Sequence, residues 1–247
     1  MVTSLTLPPP PPLAAAGHCL LLDFDGTLVD LVDRPDAVEV DHALLALLEH
    51  LLGTFDGRLA LVSGRSVAQI EGFLGKSATG IAVVGSHGAE LQLSGERITP
   101  ARPAALDEAE QAFAAAFGGE QGVVIEVKSL GVAVHYRMAP DHAAAARRLA
   151  ERYAGTDGLV LQSGKMMVEL RAGGHDKGSG ISALLAQPPF AGSIPVFVGD
   201  DVTDEAGFAA VAGLNGVGVL VGPIRETAAS YRLDDVAAVR TWLRAVA

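Results

Sequence analysis

Residues 18–30 read HCLLLDFDGTLVD. Residues 19–22 are apolar and run straight into two carboxylates, Asp23 and Asp25, with Phe24 between them and Gly26 and Thr27 after them. A short, continuous apolar run ended by polar residues is the pattern of a strand buried on both faces. Like charges held that close repel, and each is costly to desolvate, so something must offset the pair. In extended backbone residues i and i+2 share a face, which lets Asp23 and Asp25 line one pocket while Phe24 turns away.

Similar apolar runs recur at 58–62, 81–84, 195–198 and 216–221, and helical stretches lie at 42–52, 67–74, 177–186 and 204–211. Strands alternating with helices argue for a parallel sheet covered on both faces, an α/β Rossmann-like core. The middle of the chain breaks the alternation. There the order is helix (104–117), strand pair (122–128 and 131–137), helix (141–154) and strand pair (158–162 and 166–170). The expected organisation is a flexible proline-rich tail over 1–17 and a core over 18–102 and 174–247, interrupted by an α+β domain over 103–173.

In open parallel sheets, ligands bind beyond the carboxyl ends of the strands. The residues following four of the runs are DFDGT (23–27), SGR (63–65), GSHG (85–88) and GDDVTDE (199–205). Asp200, Asp201 and Asp204 add carboxylates to Asp23 and Asp25, and an all-oxygen set without histidine or thiolate suits a hard cation such as Mg²⁺. That cation would offset the repulsion within the pair. Asp201 and Thr203 also read as helix-start residues. Ser63 offers a hydroxyl, Gly64 a closely approaching amide, and Lys177 a charge at a helix N-terminus, together a phosphate site. Arg65 suits either a substrate or a structural carboxylate, since arginine forks serve both.

Composition sets the remaining bounds. Of 247 residues, 49% are apolar and 19% charged, enough for a substantial core, and the net charge of −11 disfavours nucleic acid or an anionic membrane as a partner. The lone cysteine, Cys19, precludes an intramolecular disulfide and reads as a packing residue in a reducing cytosol. No run is long enough for a membrane span, and the first residues lack the basic and apolar regions of a secretory signal. Residues 8–12 are all proline and read as an extended, mobile tail. A cytoplasmic monomer acting on a small molecule is expected.

The four clusters, in this order, resemble the haloacid dehalogenase superfamily of phosphohydrolases: DFDGT as the first motif, Ser63 the second, Lys177 the third and Gly199-Asp200-Asp201 the fourth. Further segments, SGR (63–65), GSHGAE (85–90), AVHYR (133–137), GKMMVEL (164–170) and GDDVTDE (199–205), resemble the trehalose-6-phosphate phosphatase family. One departure stands at position 176, where that family commonly has asparagine and this chain has Asp176.

The resemblance implies a haloacid-dehalogenase-type core with an α/β cap inserted after the third core strand. It implies a phosphatase that hydrolyses trehalose 6-phosphate in trehalose biosynthesis through an aspartyl-phosphate. Asp23 is then the nucleophile and Asp25 the acid and base. Mg²⁺ is held by the Asp23 carboxylate, the Asp25 carbonyl and Asp200. Ser63 and Lys177 bind the phosphoryl oxygens, and Asp201 and Asp204 hold the metal's waters or Lys177. In the cap, Glu126, Lys128 and Glu169 are candidates for sugar hydroxyls; His87 and Gly88, expected at the core–cap junction, are candidates for sugar or phosphate. His135 and Arg137 read as structural. Related readings are a phosphatase for sucrose phosphate or mannosyl-phosphoglycerate, a phosphomutase, and a non-catalytic sugar-phosphate-binding module; the last fits poorly because Asp23, Asp25, Lys177 and Asp200 are all present.

Overall fold

The structure, a computed structural model, describes residues 6–246 except 33, 35, 36 and 165. It divides into two compact units. The larger holds the described residues up to Leu31, Val38–Thr99 and those from Asp176 onward; the smaller holds Pro100–His175 with the described part of 32–37.

The larger unit is built on an eight-stranded sheet. Its strands are β1 (His18–Leu22), β2 (Leu59–Val62), β3 (Ala82–Gly85), β4 (Glu90–Leu93), β5 (Glu96–Ile98), β10 (Ile194–Gly199), β11 (Val217–Val221) and β12 (Tyr231–Leu233). The spatial order is β12-β11-β10-β1-β2-β3-β4-β5. All neighbours pair in parallel except β3–β4 and β4–β5, which are antiparallel.

The strand β1 sits at the centre, with Leu21 beside Phe197 of β10 and Ala60 of β2. Its alternation divides the core. Leu20 and Leu22 join Leu44, Leu48 and Leu51 of α1 (His42–Thr54), Ile70 of α2 (Val67–Leu74) and Val239 and Leu243 of α7 (Val236–Arg244). Cys19 and Leu21 join Ile181 and Leu184 of α5 (Lys177–Leu185) and Phe208 and Val211 of α6 (Glu205–Ala212). An apolar run thus feeds two cores, one per face, which is why it shows no hydrophobic–polar alternation.

The smaller unit has a four-stranded antiparallel sheet, β6 (Val124–Lys128), β7 (Gly131–His135), β9 (Met167–Ala172) and β8 (Leu159–Gly164) in spatial order. Val132, Val134, Val168, Leu170 and Leu159 pack on Leu106, Ala109 and Phe113 of α3 (Ala104–Phe117) and on Ala146 and Ala150 of α4 (Ala143–Glu151). The opposite sheet face carries Glu126, Lys128, His135, Gln162, Glu169 and Arg171, as period-two alternation requires.

Two sequence expectations are corrected. The hairpin β4–β5 and the closing β12–α7 pair extend the sheet at both edges beyond the strands expected. The tail, expected to be mobile over 1–17, is docked from Leu7 onward. Pro8 accepts from the Arg232 N–H at 3.0 Å, Pro11 accepts from the Trp242 indole N–H at 2.8 Å, and Leu7, Leu13 and Ala15 pack on the two core clusters. Prolines lack N–H groups but keep their carbonyls, so an extended proline run still accepts hydrogen bonds from β12 and α7. Residues 1–5 of that tail lie outside the described part. Trp242→Phe keeps an aromatic ring but removes the indole N–H and the ring that bears it; it is expected to cost about 1–2 kcal/mol in unfolding and to speed limited proteolysis near residue 13. Cleavage at the wild-type rate would argue against this docking.

Candidate active site

Asp23 continues β1 beyond its last residue, its N–H donating to the Val198 carbonyl of β10 at 2.9 Å. Its side chain is 4% exposed. The Lys177 ammonium lies between two carboxylates, 2.7 Å from Asp23 Oδ1 and 2.6 Å from Asp204 Oδ1. Thr27 donates to the other Asp23 oxygen at 3.3 Å. Asp204 is fully buried and its second oxygen accepts from the Asp201 N–H at 2.8 Å. Lys177 is the first residue of α5, and Asp176 caps that helix by accepting from the Ser179 N–H at 2.7 Å. Aspartate and asparagine are equally good N-caps, so the departure at 176 leaves Lys177 in place.

Burial is the largest influence on Asp23 and raises its pKa well above the usual carboxylate value. Lys177 opposes that rise, while Asp204 and Asp200 add to it. Asp200 is pushed from 3.8 up to about 6, first by burial and then by Asp204. Burial alone would lower Lys177, but the charges of Asp204 and Asp23 outweigh it and hold the ammonium above its ordinary value. One positive charge therefore faces three carboxylates that repel. Asp23, Asp200 and Asp204 each present an oxygen, all within 4.8 Å of one another. The excess negative charge and all-oxygen donors fit a divalent hard cation. Of the ligands implied by the resemblance, this grouping contains Asp23 and Asp200 and adds Asp204.

The Asp25 carboxylate is gripped by Arg65 in a two-point fork, Nε to Oδ2 at 2.6 Å and Nη2 to Oδ1 at 2.7 Å. The guanidinium lies 4.8 Å from the Phe73 ring centre, and Phe73 in turn stacks on Phe24, which is buried and turned from the carboxylates. Of the two uses open to Arg65, the structure shows a carboxylate of the chain itself.

Ser63 is buried, and its Oγ accepts from the Arg65 N–H at 3.1 Å. The loop after β3 is knitted to it, with Ser86 N–H donating to the Arg65 carbonyl and His87 N–H to the Ser63 carbonyl. Ser86 and His87 both take φ near +50°, uncommon and strained for such residues. Glu90, the buried last residue of the GSHGAE segment and given no role from the sequence, accepts from Ser86 Oγ and from the Val67 N–H at the start of α2. It is the residue that holds this bend. The His87 ring lies on Gly64, where a Cβ would come within 2.5 Å of it. Gly88, at φ +97°, abuts the Asp176 carbonyl so closely that a Cβ would lie 2.0 Å away. Only glycine lets the loop pass the start of α5 there. Asp201 caps its own turn by accepting from Val202 N–H, in keeping with its reading as a helix-start residue.

In the smaller unit Lys128 donates to Glu169 at 3.0 Å and lies 3.9 Å from Glu126, and His135 Nε2 is 2.9 Å from Glu126. The side chains of Lys128, Glu126 and Glu169 are largely buried. Glu169 on β9 reaches Lys128 on β6 across the intervening β7, passing over Gly131, where a Cβ would lie 2.7 Å from its Oε1. His135, read as structural, belongs to this same polar face. Arg137 lines a depression with Arg34 and Met138. Lys165 of the GKMMVEL segment lies outside the described residues.

A family model described as trehalose-phosphatase matches residues 21–237. The chain belongs to the trehalose-phosphatase family. It is 41% identical over 207 residues to a probable trehalose-phosphate phosphatase of Sinorhizobium fredii, covering 83% of this chain and 77% of that one. To the trehalose-6-phosphate phosphatase of Escherichia coli it is 36% identical over 238 residues, 95% and 88% of the two chains. A crystal structure of a trehalose-6-phosphate phosphatase related protein superposes with a TM-score of 0.77 at 29% identity, covering 92% and 96%. The protein is thus a phosphoric monoester hydrolase with a haloacid-dehalogenase-type α/β core. Among the described residues no helix is long and apolar enough to cross a membrane.

The elevated value of Asp200 makes a test without cofactor. Its folded value of about 6 exceeds 3.8, so the metal-free folded protein holds this proton more tightly than the unfolded chain does. That contribution is present at low pH and is lost as pH rises through about 6. Metal-free Asp200→Asn is therefore expected to melt above wild type at about pH 7.5 and near it at about pH 4. A difference independent of pH would remove the electrostatic account.

Proposed function

We propose that this trehalose-phosphatase family member hydrolyses trehalose 6-phosphate to trehalose and phosphate, a step of trehalose biosynthesis, using Mg²⁺ and an aspartyl-phosphate intermediate. The observation that carries the reading is the Asp23–Lys177–Asp204 arrangement with Asp200 beside it, at the carboxyl ends of β1 and β10. It joins a nucleophilic carboxylate, a phosphate-neutralising ammonium and cation ligands in one pocket.

An Asp23 carboxylate oxygen attacks phosphorus, forming the O–P bond as the bond from phosphorus to the sugar oxygen breaks. Asp25 gives its proton to that oxygen, then takes one from the water that attacks the phosphorylated Asp23 and releases phosphate. Holding that proton requires one arm of the Arg65 fork to open, because a protonated carboxyl no longer accepts equally at both oxygens. Lys177 and Ser63 bind phosphoryl oxygens, and Asp204 keeps Lys177 ionised. Asp23, Asp200 and the Asp25 carbonyl would hold Mg²⁺, which when bound neutralises charge on the transferring group.

Glu126, Lys128 and Glu169 are the proposed sugar contacts. A polyol is recognised by fixed donors and acceptors, and an ion-paired cluster on one sheet face supplies both. His87 and Gly88 are proposed to help bind sugar or phosphate.

Asp23→Asn is near-isosteric and is expected to abolish phosphate release from trehalose 6-phosphate without unfolding the protein. Activity within about tenfold of wild type would end the covalent assignment. Chelation with EDTA should silence the enzyme and added Mg²⁺ restore it; full activity in metal-free protein would contradict the cation role.

Lys128→Ala or Glu169→Ala should lose far more kcat/KM on trehalose 6-phosphate than on a small aryl phosphate, by about tenfold or more for each lost charged hydrogen bond. Lys177→Ala should lose both alike, since both substrates carry the phosphoryl group. Equal losses for the Lys128 and Glu169 variants would make them structural, and a panel of sucrose and other sugar phosphates would then decide the substrate.

A further inference from the structure

The segment leaving β11, residues 222–230, contains a second arginine that the chemistry above does not use. Arg225 pairs with Glu205, the first residue of α6, and donates through Nη2 to the Asp201 carbonyl at 2.7 Å and, at 3.5 Å, to that of Asp200. The other Glu205 oxygen accepts from the Ala228 N–H at 2.8 Å. One carboxylate thus fastens both Arg225 and the backbone that follows it, and the guanidinium fastens the two carbonyls of the acidic loop. Arg225 and Glu205 are each about a quarter exposed, at 24% and 27%, so the clamp sits beside the site and outside its buried centre.

We propose that Arg225 is a positioning residue that sets Asp200 for binding a divalent cation; this rests on the metal reading given above. The Asp200 carboxylate has little room. A Cβ on Gly26 would lie 2.3 Å from its Oδ2, so the side chain is already packed against the loop that follows Asp23. A shift of the Asp200 backbone therefore moves its oxygen off the Asp23 and Asp204 oxygens. Asp201 N–H is fixed by Asp204, and Arg225 fixes the carbonyl side of the same two residues. Outer residues of this kind govern metal affinity by orienting ligands.

Charge and positioning predict opposite signs, which makes the idea testable. Removing a cation next to Asp200, Asp201 and Asp204 should, on charge alone, tighten Mg²⁺ binding. If Arg225 positions Asp200, Arg225→Ala weakens it. Mg²⁺ binding to the full chain without substrate, by calorimetry and by Mg²⁺-induced rise in melting temperature, is expected to weaken about tenfold in Arg225→Ala. Arg225→Lys should recover part of the loss, because an ammonium reaches one carbonyl but cannot fork. At saturating Mg²⁺, KM for the phosphate ester should stay within about twofold of wild type, since Arg225 is not a substrate contact. Arg225→Gln carries the test if Arg225→Ala does not fold: it too removes the charge and the fork, so positioning predicts weaker Mg²⁺ affinity and charge alone predicts tighter. Wild-type or tighter Mg²⁺ affinity in a folded variant overturns the proposal while leaving the metal reading intact. Absence of Mg²⁺ binding by the wild type would overturn both.

Discussion

A single ammonium group between two buried carboxylates organises this protein. Lys177 bridges Asp23, at the end of the central strand, and Asp204, at the start of α6, with both hydrogen bonds under 3 Å. Those residues are 154 and 27 positions away in sequence, so the interaction joins the first and last portions of the core unit. Isolated, each of these charges would be expensive to bury; together they satisfy one another and still leave net negative charge. That surplus suits the divalent cation proposed above, whose charge would let an anionic phosphoryl group approach. The caps and close approaches around it serve to hold the three groups in register: Asp176 on α5, Gly88 against its start, and Asp204 on the Asp201 amide.

The neighbouring Asp25–Arg65 fork follows a different logic. Its carboxylate is more exposed, with the Asp25 side chain at 29%, and it is held by a planar guanidinium resting on Phe73. The left-handed Ser86–His87 bend adds backbone strain in the same quarter of the unit, offset by Glu90 and by hydrogen bonds to Ser63 and Arg65.

Much of this was legible from residues alone. Residues 19–22 read as a two-faced strand because every one of them is apolar, and each is fully buried. The clusters after the strands pointed to Asp23 and Asp200 because chemistry collects at strand ends in such sheets, and Lys177 stood out as a charge at a helix N-terminus. The edge elements escaped because their signals are weak. The β4–β5 hairpin alternates poorly and its cue is the Ser94–Gly95 turn, both residues at positive φ; α7 offers Asp235 as a cap and Val236, Val239 and Leu243 at helical spacing. Pairings across long separations were not decidable. Nothing local says that Arg65 would choose Asp25, that His135 would meet Glu126, or that Arg225 would reach back to Asp201. The proline run misled for a related reason: its composition forbids regular structure but does not forbid docking.

The smaller unit keeps its own apolar cluster on one sheet face and its charged residues on the other, and its core shares no residue with the two clusters of the larger unit. Substitutions among Glu126, Lys128, Gln162, Glu169 and Arg171 therefore leave all three apolar clusters untouched. Exchanges that keep the charges paired can be trialled at these positions, whereas losing one partner of the buried Lys128–Glu169 pair alone would leave an uncompensated charge. Gly131 is the exception. Any side chain there closes the path of Glu169 over β7, so this one position constrains which polar faces the scaffold can explore.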